Sequence, residues 1–247
     1  MIDQVIETLR SDRQAALDRL FEFLRIPSVS TQSKHDADCL KAAHWSVADL
    51  QTMGFDAEVV KTPGHPMVVA TYRPKIADPK HFLFYGHYDV QPVDPIELWD
   101  ADPFAPYIED GKRIRARGSA DDKGQLMTFI EACRAWISAT GDLPCKVTVL
   151  LEGEEESGSP SLEPFLEAYA SRLKADLALV CDTGMIAEGK PAITTMLRGM
   201  VLEGVIITGP NKDLHSGLYG GAARNPIRVL SKILAELHDD DGRIMLD

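Results

Sequence analysis

At 247 residues, with 45% hydrophobic and 26% charged side chains, the chain can build one large domain, or one domain and part of another, and has the composition of a soluble globular protein rather than a disordered one. Its 38 acidic residues exceed its 26 basic ones, a formal charge of −12, which disfavours the basic patch that nucleic acid or an anionic membrane surface requires. No run approaches the ~20 apolar residues of a membrane span and the start shows no signal segment, while Cys39, Cys133, Cys145 and Cys181 stand apart without a Cys-x-x-Cys pair, so reduced thiols, no membrane partner and a cytoplasmic location are expected.

The first 25 residues carry apolar positions at helical spacing: Ile2, Val5, Ile6 and Leu9, then Ala16, Leu17, Leu20, Phe21 and Leu24. Ile26-Pro27 ends that pattern, since the residue before proline is disfavoured in the α conformation. A further helix is expected over residues 36–53, closed by Gly54. Short apolar runs bounded by Gly and Pro follow at residues 57–60, 67–72, 82–85, 146–151 and 178–180 and read as strands. Helical stretches at residues 123–138 and 162–173 alternate with them, and Asp110-Gly111 suits the turn of a hairpin over residues 107–115. This order predicts an α/β fold with a mostly parallel sheet and helices on both faces. Near Leu197 the texture changes: residues 200–208 are β-rich, Gly209-Pro210 is a break, and residues 225–238 read as a helix. A first domain over residues 1–197 and the start of a second, α+β one over residues 198–247 are expected.

Ligands of open α/β sheets bind beyond the carboxyl ends of the strands, and there the chain places its metal-type donors. The run Phe82-Leu83-Phe84-Tyr85 leads into Gly86-His87-Tyr88-Asp89, residues 147–151 into Glu152-Gly153-Glu154-Glu155-Glu156, and residues 177–180 into Cys181-Asp182. Gly118-Ser119-Ala120-Asp121-Asp122-Lys123-Gly124 enters a helix. Each has an ordinary reading alone: His87-x-Asp89 as a polar loop, Asp121-Asp122 as a helix cap and first-turn acid, Glu154-Glu155-Glu156 as a solvated charge run, and Asp182 as a turn residue. Together, one imidazole and several carboxylates at successive strand ends make an oxygen-rich, nitrogen-containing set suited to divalent metal. Two ions ~3.5–4 Å apart bridged by a carboxylate, with an unligated glutamate as base, would form a hydrolytic site. A Ser-His-Asp alternative would need a Gly-x-Ser-x-Gly elbow, which the sequence lacks.

Five segments in order carry a resemblance: residues 85–92 (Tyr-Gly-His-Tyr-Asp-Val-Gln-Pro), 99–104, 117–124, 151–159 (Leu-Glu-Gly-Glu-Glu-Glu-Ser-Gly-Ser) and 214–221 (Leu-His-Ser-Gly-Leu-Tyr-Gly-Gly). Their pattern resembles the aminoacylase and carnosinase-type family of dinuclear metallopeptidases. The resemblance implies a hydrolase with two zinc or manganese ions that cleaves the amide bond of dipeptides, or of N-acyl amino acids with a different pocket, through a metal-bridging water. It implies His87 and Asp182 on one metal, Glu156 on the other, Asp121 bridging both, Asp89 orienting His87, and Glu155 as general base. It implies that His215 stabilises the oxyanion in the partner subunit's site, within a homodimer formed through a lid domain. Arg115-Ala116-Arg117-Gly118 departs from the family's usual Tyr-Gly-Arg-Gly without touching a ligand. The family's members are longer, so the chain is expected to cover the first part of the catalytic domain and the beginning of the lid. In another class, a non-catalytic metal-binding or interaction module would carry the same residues.

Overall fold

The computed structural model describes residues 1–245, which divide into two compact units, Met1–Ala192 and a second that begins at Ile193. The first unit opens with α1 (Ile2–Ser11), α2 (Arg13–Leu24) and α3 (Asp36–Thr52), followed by β1 (Asp56–Val60), β2 (Met67–Tyr72) and β3 (His81–His87). A small hairpin, β4 (Tyr107–Glu109) and β5 (Arg113–Arg115), precedes α4 (Lys123–Thr140), β6 (Lys146–Glu152), α5 (Leu162–Leu173) and β7 (Leu177–Val180). The Asp110-Gly111 pair turns that hairpin within a three-residue loop, with φ of 51° and 68°, the left-handed region so tight a reversal demands.

The five-stranded sheet has the order β1-β2-β6-β3-β7. Strands β6, β3 and β7 are parallel, whereas β1 pairs with β2 and β2 with β6 antiparallel. The α/β class is as the sequence implies, but the sheet is mixed rather than mostly parallel. The connection over residues 61–66 is too short for a crossover and returns the chain as a hairpin.

Strand alternation divides the core. Val68, Ala70, Phe84, Val149 and Leu151 face α2, α3 and α4 with Phe23, Leu24, Leu50, Leu126 and Ile130, while Met67, Val69 and Leu150 face Phe165 and Leu173 of α5. Fully burying such side chains stabilises by roughly 1.5–3 kcal/mol each before ordering costs. On the helical layer an ion network joins α4 to its neighbours: Arg19 meets Glu131 in two bonds of 2.7 and 2.6 Å, and Arg134 reaches Asp49 at 2.6 Å.

In the second unit Asn225 caps α7 (Pro226–Glu236) by accepting the N–H groups of Ile227 and Arg228, after the short α6 (Ser216–Tyr219). Residues 200–208 form no strand, contrary to the β-rich reading. A strand exists only by pairing, and among the described residues this run has no partner; Met200, Val201, Leu202 and Ile206 stand exposed. Among the described residues no helix is long and apolar enough to cross a membrane.

His81, buried at the start of β3, pairs through Nε2 with Thr148 Oγ1 at 2.8 Å. Burial first, and the nearby Lys146 charge second, lower its pKa, against the opposing pull of the Lys174 carbonyl and Asp176. A lowered folded pKa means that the unfolded chain binds more protons, so stability present above the unfolded value of ~6.5 is lost as pH falls through that value and the folded one. Urea unfolding at pH 5 and pH 7.5 should show this loss, and His81→Gln, which cannot titrate, should flatten it. An unchanged slope would assign the acid sensitivity to other groups.

Candidate metal centre

Parallel pairing aligns the carboxyl ends of three strands. His87 stands opposite Glu152, and Tyr85 opposite Val180, so the residues just beyond Val180 come level with His87. His87 is fully buried. Its Nδ1 faces Asp89 Oδ1 at 3.2 Å, and its Nε2 faces Asp121 Oδ1 at 3.0 Å and Asp182 Oδ2 at 3.7 Å. Asp89, itself fully buried, accepts the Glu156 N–H at 3.0 Å through its other oxygen. One carboxylate thus ties the β3 turn to the β6 turn. Glu156 is held by Gln91, whose Nε2 donates to Oε2 at 2.6 Å. His87, Asp121 and Glu156 each offer a donor atom, and these atoms lie within 4.8 Å of one another.

The electrostatics follow from crowding like charges in a half-buried place. Burial, and then neighbouring carboxylates, raise the pKa values of Asp182, Glu155 and Glu156, with His87 and, at Glu156, the Gln91 hydrogen bond pulling the other way. Burial by itself would lower the His87 value, but its bond to Asp89 and the charges of Asp89, Asp122 and Glu155 raise it to about 10. In the metal-free chain the carboxylates around the imidazole thus favour its protonated form. A divalent cation answers the same demand for positive charge, and one imidazole with several carboxylates is a donor set suited to a divalent metal. The residues fit a metal.

Two neighbours act in ways the sequence reading missed, although both stand in segments it singled out. Asp122, at the N-cap position of α4, makes no capping bond with its side chain. Its buried carboxylate accepts the His87 N–H at 3.0 Å instead. Gly86 permits the approach: a Cβ there would lie 2.8 Å from Asp122 Oδ2. Burial raises the Asp122 pKa to about 7, against the pull of His87. Gln91 is the second, because an amide beside a proline gives no sign in one dimension of the glutamate it holds. Glu155, beside Glu156, has no side-chain hydrogen-bond partner among the described residues. His215 lies in the second unit, exposed, and its Nδ1 accepts the Gly217 N–H at 3.1 Å at the start of α6.

With this geometry the chain matches the family model described as peptidase family M20/M25/M40 over residues 83–237, and it belongs to that family. It is 31% identical over 261 aligned residues to the Cys-Gly metallodipeptidase dug1 of Schizosaccharomyces pombe, covering 99% of this chain and 54% of that protein. It is 36% identical over 165 residues to the human Beta-Ala-His dipeptidase, covering 66% of this chain and 32% of that protein. The M20 family metallo-carboxypeptidase Sso-CP2 from Sulfolobus solfataricus superposes with a TM-score of 0.76 at 34% identity, covering 93% of this chain and 51% of that one. The chain spans about half the length of the curated full-coverage relatives it matches.

The two adjacent aspartates should separate cleanly. The Asp121 side chain is 62% exposed, so Asp121→Asn should leave the stability of the metal-free chain within about 0.5 kcal/mol of wild type. Asp122→Ala strands a buried His87 N–H and should cost about 1–3 kcal/mol, with Asp122→Asn, which keeps an acceptor, costing less. Urea titration monitored by circular dichroism measures both, and equal losses at the two positions would contradict the assignment.

Proposed function

We propose that the first unit is the catalytic part of a metal-dependent dipeptidase and that the second begins its lid. The observation that carries this reading is the convergence of His87 Nε2, Asp121 and Glu156 donor atoms, with Asp182 Oδ2 3.7 Å from the imidazole. His87 and Asp182 would hold one divalent ion and Glu156 a second, with Asp121 shared, zinc or manganese being the ions this donor set takes. Bound there, such ions polarise a scissile carbonyl and acidify water.

The chain's own residues supply the rest. Asp89 orients His87 by accepting from Nδ1, the carboxylate–histidine arrangement that keeps a ligating nitrogen aimed. Glu155, without a side-chain hydrogen-bond partner among the described residues and with its pKa raised chiefly by burial, is the general base: it takes a proton from the attacking water and returns it to the leaving amine. Glu156, adjacent in sequence but fastened by Gln91, is held as a ligand instead. His215 would donate to the oxyanion across a homodimer formed through the second unit. The substrate would be a dipeptide with an unsubstituted amide bond, by analogy with relatives named for Cys-Gly and Beta-Ala-His. Four free cysteines accord with a cytoplasmic setting.

Calorimetric zinc titration of the chain, together with a Cys-Gly cleavage assay, tests the reading. Glu155→Gln should keep wild-type metal content, whereas Glu156→Gln should lower it. In any form of the protein that turns over Cys-Gly, Glu155→Gln should slow hydrolysis ~10²–10⁴-fold, the worth of a positioned proton shuttle. Equal metal loss in both variants would sink the division of roles, and a wild-type chain without zinc affinity would sink the metal reading.

A further inference from the structure

A lysine with no solvent exposure stands two residues after Asp121. Lys123 opens α4, and its Nζ donates to Ile26 O at 2.7 Å and to Phe23 O at 3.2 Å, with the Phe23 ring centroid 4.8 Å away. Phe23 is backed by Trp45 in a stack at 4.5 Å. Two carbonyls and an aromatic face make a seat for an ammonium group, and the carbonyls belong to the end of α2 and the residue after its cap, where the negative end of the helix dipole favours a cation; each also accepts a backbone N–H, Phe23 O from Ile26 and Ile26 O from Ser28, and uses its second lone pair on Lys123. Burying a lysine is costly, and α2 could end on water instead, so the contact calls for a reason beyond packing.

The hydrogen bonds continue past Lys123 in both directions. Ile26 leads through Pro27 to Ser28, which is fully buried, donates through Oγ to Tyr88 O at 2.7 Å and accepts the Val90 N–H at 2.9 Å. Tyr88 and Val90 flank Asp89. In the other direction, Asp122, next to Lys123, accepts the His87 N–H at 3.0 Å. The path from Lys123 to Ile26, Ser28, Tyr88, His87, Asp122 and back is a closed ring. Asp121 hangs from one side of it and the His87–Asp89 turn from the other.

We propose that Lys123 is a positioning residue that sets the spacing between Asp121 and His87 by fastening the Asp121 loop to the end of α2, which Ser28 in turn holds against the His87–Asp89 turn. The ring is closed only while Lys123 reaches Ile26. This inference rests on the metal reading of the same cluster, and it adds a residue that would touch neither metal nor substrate.

The test is Co²⁺ titration of the chain, read by visible absorption, in wild type, Lys123→Met, Ser28→Ala and Arg19→Met. Arg19→Met is the control: it removes an ion pair to the same α4 helix at Glu131, away from the cluster, and should destabilise without moving the ligands. Lys123→Met should weaken Co²⁺ by about 10-fold or more, as loss of an outer supporting group does, and Ser28→Ala should weaken it in the same direction. Arg19→Met should stay within about twofold, as independent sites do. A Co²⁺ affinity in Lys123→Met equal to that of Arg19→Met would overturn the proposal and leave Lys123 a merely structural residue. If Lys123→Met does not fold, Ser28→Ala decides, and an unchanged affinity there overturns the proposal. If wild type binds no Co²⁺, the metal reading itself fails. The ring is then judged by hydrogen exchange of the His87 amide in Ser28→Ala: about 10-fold faster exchange supports it, and the wild-type rate overturns it.

Discussion

The parallel register of β3 between β6 and β7 is the constraint on which the site depends. β3 and β6 are apolar because they lie inside the sheet between helical layers, β7 is an apolar but exposed edge strand, and each ends where its polar residues begin. Parallel pairing puts those ends on one edge of the sheet, so His87, the turn after Glu152 and Asp182 meet although they are far apart in the chain. An antiparallel arrangement of the same strands would send their polar ends to opposite edges. A slip of one residue would turn His87 to the other face and away from Asp121.

Holding several carboxylates beside one imidazole is unfavourable in itself. Desolvation and mutual repulsion raise the pKa values of Asp122, Glu155, Glu156 and Asp182, and the fold offsets this with hydrogen bonds directed at particular oxygens. Asp89 uses both of its oxygens, one on His87 and one on the Glu156 backbone. Glu156 receives Gln91. Among the described residues Glu155 and Asp182 have no such bond, and at the two adjacent glutamates this difference, rather than any difference in chemistry, separates the fastened Glu156 from the unfastened Glu155.

Support for the cluster comes from helices as well as strands. The α2, α3 and α4 layer packs its apolar residues against one face of the sheet, and ion pairs among Arg19, Asp49, Glu131 and Arg134 join the helices away from the cluster. The loop that carries Asp121 enters that layer at the start of α4. The apolar packing of that layer therefore sets where this loop begins, which matters because the Asp121 side chain is itself largely exposed and meets the buried His87 at 3.0 Å.

Much of this was legible in one dimension. Helical spacing from Ile2 to Leu24, the Asp110-Gly111 turn and the Asn225-Pro226 helix start are local features decided by backbone preference and side-chain period, and they recur in the structure at nearly the expected residues. The side chains that cluster at the candidate site, His87, Asp121 and Glu156, were legible too, because polar metal-type residues placed directly after apolar runs stand out against the alternation of the strands. Pairing was not legible. The sheet is mixed because a short connection folds β1 and β2 into a hairpin, and residues 200–208 are β-rich without being a strand because strand character needs a partner that local sequence does not specify. Nor could spacing reveal that Asp122 leaves its helix end to hold His87, that Gln91 singles out Glu156, or that Lys123 reaches back about a hundred positions to α2. Local chemistry chose the side chains and elements, whereas the partners of the buried polar groups were decided by tertiary structure, because a buried donor or acceptor must be satisfied by whatever folding brings within about 3 Å of it.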